Sequence, residues 1–215
     1  MNATPPPFVV LNTTNHLALR GPVTAESVDS LAHRAMSLPS PPRYLYLDTP
    51  GGEVLAGQRL IELVVQLHLT CLVLRAYSMG FAVLQHCARR LALRGATLMQ
   101  HHIAVSGLSG PVGQIDSYLA MVRRLGSRLA AAQAARLGVS REWFVNRTRD
   151  EWWLEAEGAL ASGAIDGTVT LWCTATLTQK NVSLPPRGGT GALLPAAPAR
   201  YSACPLVGGP LPQHP

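Results

Sequence analysis

The sequence predicts an α/β fold, with helices covering a largely parallel sheet. Three observations carry that expectation. Short apolar runs suited to buried strands alternate with segments of helical periodicity between about residues 8 and 175. Of the 215 residues, 47% are hydrophobic and 14% charged, a balance that fills a core and excludes a disordered chain. No stretch reaches the ~18 uncharged apolar residues of a membrane span; the best candidate, Ala76 to Ala88, already holds Ser78, Gln85 and His86. One domain over 8–175 is expected. Residues 176–215 carry eight prolines, five glycines and no Asp or Glu, which predicts a disordered tail.

In chain order, the first strand is expected at Leu17 to Arg20, closing at Gly21-Pro22 after a short lead. Thr24 is placed to cap a helix whose Val28, Leu31, Ala32 and Ala35 share a face, and Pro39, Pro41 and Pro42 stop it. Tyr44 to Leu47 forms the next strand. The run Asp48-Thr49-Pro50-Gly51-Gly52 is a glycine turn into a helix marked by Val54, Ile61, Val64 and Val65. Thr70 to Leu74 is a buried strand, and a sharp turn at Tyr77-Ser78-Met79-Gly80 opens a helix to about Ala88. Leu91-Ala92-Leu93 and Thr97 to His101 are extended on either side of an Arg94-Gly95 turn. Gly107, Gly110 and Gly113 precede a helix from about Ile115 to Leu137, with an apolar stripe of Ile115, Leu119, Val122, Leu125 and Leu129. Glu155 and Glu157 suit the first turn of a helix reaching Gly163.

Composition narrows the function classes. Cys71, Cys87, Cys173 and Cys204 form no C-x-x-C pair, so neither a disulfide framework nor a zinc site is expected, and Cys71 and Cys87 read as small core residues. The net charge of +6 comes from 18 basic and 12 acidic residues, but the arginines are dispersed and no recognition motif accompanies them. Nucleic acid is therefore not an expected partner. The start, Met-Asn-Ala-Thr-Pro-Pro-Pro, lacks the basic and apolar regions of a secretory signal, so a cytoplasmic or organellar interior is expected, without membrane attachment.

Ser78 stands where a strand gives way to a helix, and the first N–H groups of a helix have no intrahelical acceptor. An oxyanion formed there lies within reach of the Met79 N–H and of a second amide. Gly52 is the natural supplier, because glycine at 51 and 52 allows close backbone approach. The plainer alternative is a serine cap in a tight turn. A serine hydroxyl needs a base to become a nucleophile. His101 and His102 compete for that role; alternation sends them to opposite faces, and periodicity does not choose between them. His33, His68, His86 and His214 lie away from the turn, and Lys180, the sole lysine, sits in the tail. Asp150 and Glu151, beside Trp152 and Trp153, are candidates for the carboxylate that would orient an imidazole.

These pieces, in this order, resemble the ClpP family, the proteolytic subunits of the ATP-dependent caseinolytic protease. The match runs through Gly21-Pro22-Val23, Tyr44 to Gly52, Ala76-Tyr77-Ser78-Met79-Gly80, Leu98-Met99-Gln100-His101, Glu155-Ala156 and Gly163-Ala164-Ile165-Asp166. The resemblance implies the repeated β-β-α fold that ClpP shares with crotonase-like proteins, with a protruding handle helix within Gly107 to Gly138. It implies a serine endopeptidase with Ser78 as nucleophile, His101 as base, His102 on the substrate side, and the Gly52 and Met79 amides as oxyanion hole. The third triad member falls on Glu151 when counted back from Gly163 without a gap, and on Asp150 with one inserted residue. Heptameric rings stacked in pairs are implied, with peptides and unfolded proteins as substrates and no metal or organic cofactor. ATP would be consumed only by an AAA+ unfoldase partner, and the short lead before the first strand implies altered pore loops and looser coupling to it. Arg75 and Tyr77 stand where the family has small residues, implying a narrowed or recharged pocket. Two other functions fit the same fold: a catalytically poor subunit of a mixed ring, and a crotonase-like acyl-CoA enzyme, in which Ser78 and His101 have no required role.

Overall fold

Runs such as Leu45-Tyr46-Leu47 and Cys71-Leu72-Val73 are apolar at every position because the strands they form are covered on both faces. A computed structural model describes residues 8–105, 107–178, 180–181, 200–201 and 204–206. The elements are β1 (Phe8–Leu11), β2 (His16–Arg20), α1 (Ala25–Met36), β3 (Tyr44–Thr49), α2 (Val54–Gln66), β4 (Thr70–Tyr77), α3 (Met79–Gln85) and β5 (Arg89–Gln100). They continue as α4 (Val112–Leu137), α5 (Arg141–Arg147), β6 (Trp152–Glu155), α6 (Ala156–Ala161), β7 (Gly167–Cys173) and α7 (Ala175–Thr178). The sheet order is β1-β7-β5-β4-β3-β2, parallel throughout, with β6 antiparallel on the second half of β5. This is the α/β architecture expected.

Alternate residues of each strand feed two cores. Leu45, Leu47, Cys71 and Val73 face Val28, Leu60, Val64, Phe81 and Leu84 from the helices, while Tyr46, Leu72 and Leu91 face the other way, with Val9, Leu11, Val169 and Leu171. Thr24 caps α1 as its position suggests: its hydroxyl accepts from Ser27 N–H at 3.1 Å, and Ser27 Oγ accepts from Thr24 N–H at 3.0 Å. Behind the helical core, the buried Arg90 guanidinium pairs with Asp166 and donates to Gln85 Oε1 at 2.6 Å, and Gln85 Nε2 donates to the Ala164 carbonyl at 3.1 Å. This network bolts the end of α3 to the turn before β7. Burial alone would raise the Asp166 carboxyl, but hydrogen bonds from the Arg90 side chain and amide, with the charges of Arg90 and Arg136, hold it below the usual carboxylate range.

Several expectations are corrected. The strand at Leu17 is the second, not the first: Phe8–Leu11 precedes it and pairs with β7, Val10 opposite Trp172. Phe8 and Val10 are apolar yet exposed on this edge strand, so no alternation betrays it, and its partner lies at the other end of the fold. Arg94-Gly95 is no turn; β5 runs through it as a bulge, stepping from Ala92 to Thr97 while β4 steps only from Val73 to Arg75. α4 begins at Val112 rather than Ile115. Trp152 and Trp153 belong to a strand, and the short α5 had no distinct signal.

The cysteines are also corrected. Cys71 and Cys87 are core residues but not free thiols: they are joined in a disulfide, as are Cys173 and Cys204. Folding of β4 and α3 back along the sheet brings Cys71 and Cys87 to a Cα separation of 5.9 Å, which a spacing of 16 residues does not announce. The expected tail at 176–215 falls largely outside the described residues; within it, Leu177 and Cys204 are buried in the second core. Among the described residues no helix is long and apolar enough to cross a membrane.

Candidate active site

β4 delivers Ser78 to the C-terminal edge of the sheet, where open parallel sheets bind their ligands. Ser78 adopts φ 52° and ψ −116°, a conformation that non-glycine residues enter only under constraint, at a cost of order 1–3 kcal/mol. Its N–H donates to the Met99 carbonyl at 2.8 Å and its carbonyl accepts from Ala82 N–H at 3.2 Å, so the strained residue is clamped between β5 and α3. The glycine turn presses against it. A Cβ on Gly51 would lie 2.6 Å from the Tyr77 carbonyl oxygen and 2.8 Å from Ser78 Cβ, and one on Gly52 would lie 2.3 Å from the Val23 oxygen. Both glycines have positive φ, 91° and 149°. The flanking amides of Val23 and Glu53 bond across this junction, while Gly52 N–H and Met79 N–H donate to nothing among the described residues. Two free amides therefore border the serine.

His101, one residue past the end of β5, is the histidine that meets Ser78: its Nε2 is 2.8 Å from Ser78 Oγ. With the proton on Nδ1, Nε2 accepts from the serine hydroxyl, the arrangement a general base needs. His102 points the other way, and its Nε2–H donates to the Val145 carbonyl of α5 at 2.9 Å. The two remaining candidates do not join the pair. Asp150 is exposed and has no hydrogen bond or ion pair among the described residues, and Glu151 Oε2 accepts instead from Trp153 Nε1–H at 2.9 Å. Neither carboxylate bonds His101. Glu151 also holds a positive φ of 69°.

What fixes the histidine backbone instead is a buried carboxamide pair absent from the sequence expectation. Gln100 Oε1 accepts the His101 N–H at 3.0 Å, Gln100 Nε2 donates to Gln133 Oε1, and Gln133 Nε2 donates to the Leu129 carbonyl at 3.0 Å. The chain of bonds ties His101 to α4. Its signal was present: Gln133 is a lone polar residue in Ala130-Ala131-Ala132-Gln133-Ala134-Ala135, one turn past Leu129 of the apolar stripe. Arg75 and Tyr77 do not enter the cleft. Arg75 Nε pairs with Asp48 at 2.9 Å, and Tyr77 Oη shares a 2.7 Å hydrogen bond with Thr97.

Ser78 and His101 open into a cleft of about 710 Å³, floored by Met79, Met99 and Gln100 and walled by α4, α5 and the segment His102 to Val105. The strained serine at the β4–α3 junction, the imidazole just past the end of β5 and the unengaged amides alongside all sit at one edge of a parallel α/β sheet. The family model described as Clp protease matches residues 7–171, and the chain belongs to that family. It is 26% identical to ATP-dependent Clp protease proteolytic subunit 2 of Treponema pallidum over 166 residues, 73% of this chain and 82% of the relative. It is 28% identical to proteolytic subunit 1 of Chlamydia muridarum over 150 residues, 66% of this chain and 78% of the relative. With the proteolytic subunit of the fern Adiantum capillus-veneris the identity is 32% over 130 residues, 57% and 64% of the two chains.

Proposed function

We propose that this chain is a serine endopeptidase subunit of a Clp-type protease, cutting peptide bonds in unfolded proteins. The observation that carries the proposal is the 2.8 Å contact of Ser78 Oγ with His101 Nε2 beside the unengaged amides of Gly52 and Met79. His101 takes the hydroxyl proton as Ser78 adds to the carbonyl carbon. Gly52 and Met79 N–H hold the resulting oxyanion, and His101 then returns the proton to the leaving amine. Water cleaves the acyl-enzyme by the same sequence. No step calls for a metal or organic cofactor; ATP belongs to a partner AAA+ unfoldase. Val112 and Tyr118, apolar and exposed on α4, suit contacts between copies in stacked heptameric rings.

A fluorophosphonate probe should label Ser78, with the label lost in Ser78→Ala; labelling that persists in the variant overturns the assignment. Asp150, unpaired among the described residues, and the diverted Glu151 favour a second reading, a catalytically poor subunit of a mixed ring. Steady turnover of an unstructured peptide by the purified chain alone excludes that alternative.

A further inference from the structure

We propose that the α4 wall of the cleft is a subsite for an acidic side chain of the substrate, held by the guanidinium groups of Arg123 and Arg141. This subsite rests on the peptidase reading above and names the class of peptide that reading leaves open. The cleft lining contains Arg123, Arg141, His101 and His102 but no Asp or Glu; the acidic Glu53 lines only the adjoining groove.

Both cations line the same stretch of the wall. Arg123 and Ser127 are one helical turn apart on α4, a rise of ~6 Å, and both line the cleft. Arg141, reaching over from α5, donates from Nη2 to Ser127 Oγ at 2.9 Å, which anchors its guanidinium at a residue one helical turn from Arg123. Four arginines pair with carboxylates, none of which lines this cleft: Arg59 with Asp29, Arg75 with Asp48, Arg90 and Arg136 with Asp166. Arg123 has none among the described residues, nor does Arg141.

Around them the wall is apolar. Val122 and Ala130 of α4 and Phe144 and Val145 of α5 line the same cleft. A peptide laid there excludes water from the guanidinium groups, which strengthens a carboxylate contact and penalises a cationic side chain. A guanidinium fork also matches a carboxylate in two parallel hydrogen bonds, a geometry that a neutral amide fills only in part. Geometry and charge together point to a Glu or Asp a few residues from the bond that is cut.

Internally quenched peptides in which Glu, Gln or Lys is stepped through the positions flanking the scissile bond test this on the full chain. At one position Glu should raise kcat/KM ~10-fold over Gln, with the advantage shrinking as salt rises. Arg123→Glu should reverse the order, so that Lys exceeds Glu at that position, a change of sign that a misfolded variant does not produce. Equal kcat/KM for the Glu and Gln peptides at every position overturns the subsite, as does a Glu preference that survives Arg123→Glu. If no peptide is turned over, the peptidase reading fails, and fluorescence anisotropy on the Ser78→Ala chain still decides the subsite. Tighter binding of a Glu peptide than its Gln counterpart supports it, and equal affinity overturns it.

Discussion

Replacing Gln133 by leucine, a near-isosteric change at a site only 3% exposed, isolates what the buried carboxamide pair contributes. The change removes the acceptor of Gln100 Nε2, leaving a buried donor unpaired at a cost of roughly 1–3 kcal/mol. The Leu129 carbonyl loses only an added donor, since it lies within α4. Gln100→Met on its own is more costly. It strands two groups, the His101 N–H and Gln133 Oε1. The double variant strands only the His101 N–H, so it should be more stable than the sum of the singles predicts, by about 2 kcal/mol of coupling. Urea unfolding of the four proteins in the cycle measures this. The same series should slow fluorophosphonate labelling of Ser78 most in the variants that lack Gln100, because that side chain holds the His101 backbone. Single-variant costs that add to within about 0.5 kcal/mol would refute the coupling, as expected of independent sites.

Three further outcomes follow from other parts of the fold. Tyr46 is wholly buried with its hydroxyl unpaired among the described residues, and burial pushes its phenol up to about 12. Tyr46→Phe should therefore raise the free energy of unfolding by about 1 kcal/mol, and a loss of stability shows that the hydroxyl has a partner. The Asp166 carboxyl is held below its usual value, so its contribution is complete above the unfolded carboxylate range near ~3.9 and is lost as pH falls through the lower folded value. Asp166→Asn should cost about 2 kcal/mol at neutral pH, less than a fully buried pair because solvent reaches the carboxylate, and should flatten the acid limb of a stability profile; an unchanged limb in the variant removes the claim. Gly51→Ala drives a methyl into the Tyr77 carbonyl and Ser78 Cβ, both held by backbone, so Ser78 labelling should fall ~10-fold or more, whereas labelling within twofold of wild type refutes the tight fit.

The fold was legible wherever local chemistry and global placement agree. The Thr24 cap, the proline stop after α1, the Gly51-Gly52 turn and the doubly covered strands β3 and β4 all follow from neighbouring residues. What escaped was long-range. β1 takes its meaning from β7, the β5 bulge from its neighbours on either side, and the disulfides from crossovers that bring distant cysteines together. At the site, the residues themselves singled out Ser78 and narrowed the base to His101 or His102, and the family resemblance chose His101. The sequence left the carboxylate on Asp150 or Glu151 and did not see Gln133, whose partner Gln100 lies on another element.

The sequence by itself determined which groups are present: a serine at a strand-to-helix turn, glycines that let a backbone come close, adjacent histidines, and a helix with a polar residue in its apolar stripe. Those are local facts, fixed by residue type and spacing. Tertiary structure alone decided that both candidate carboxylates stay off the imidazole and that arginines from two different helices line one wall. Such outcomes depend on where side chains from separate elements point once the sheet twists and the helices dock on it, and spacing along the chain does not encode that direction.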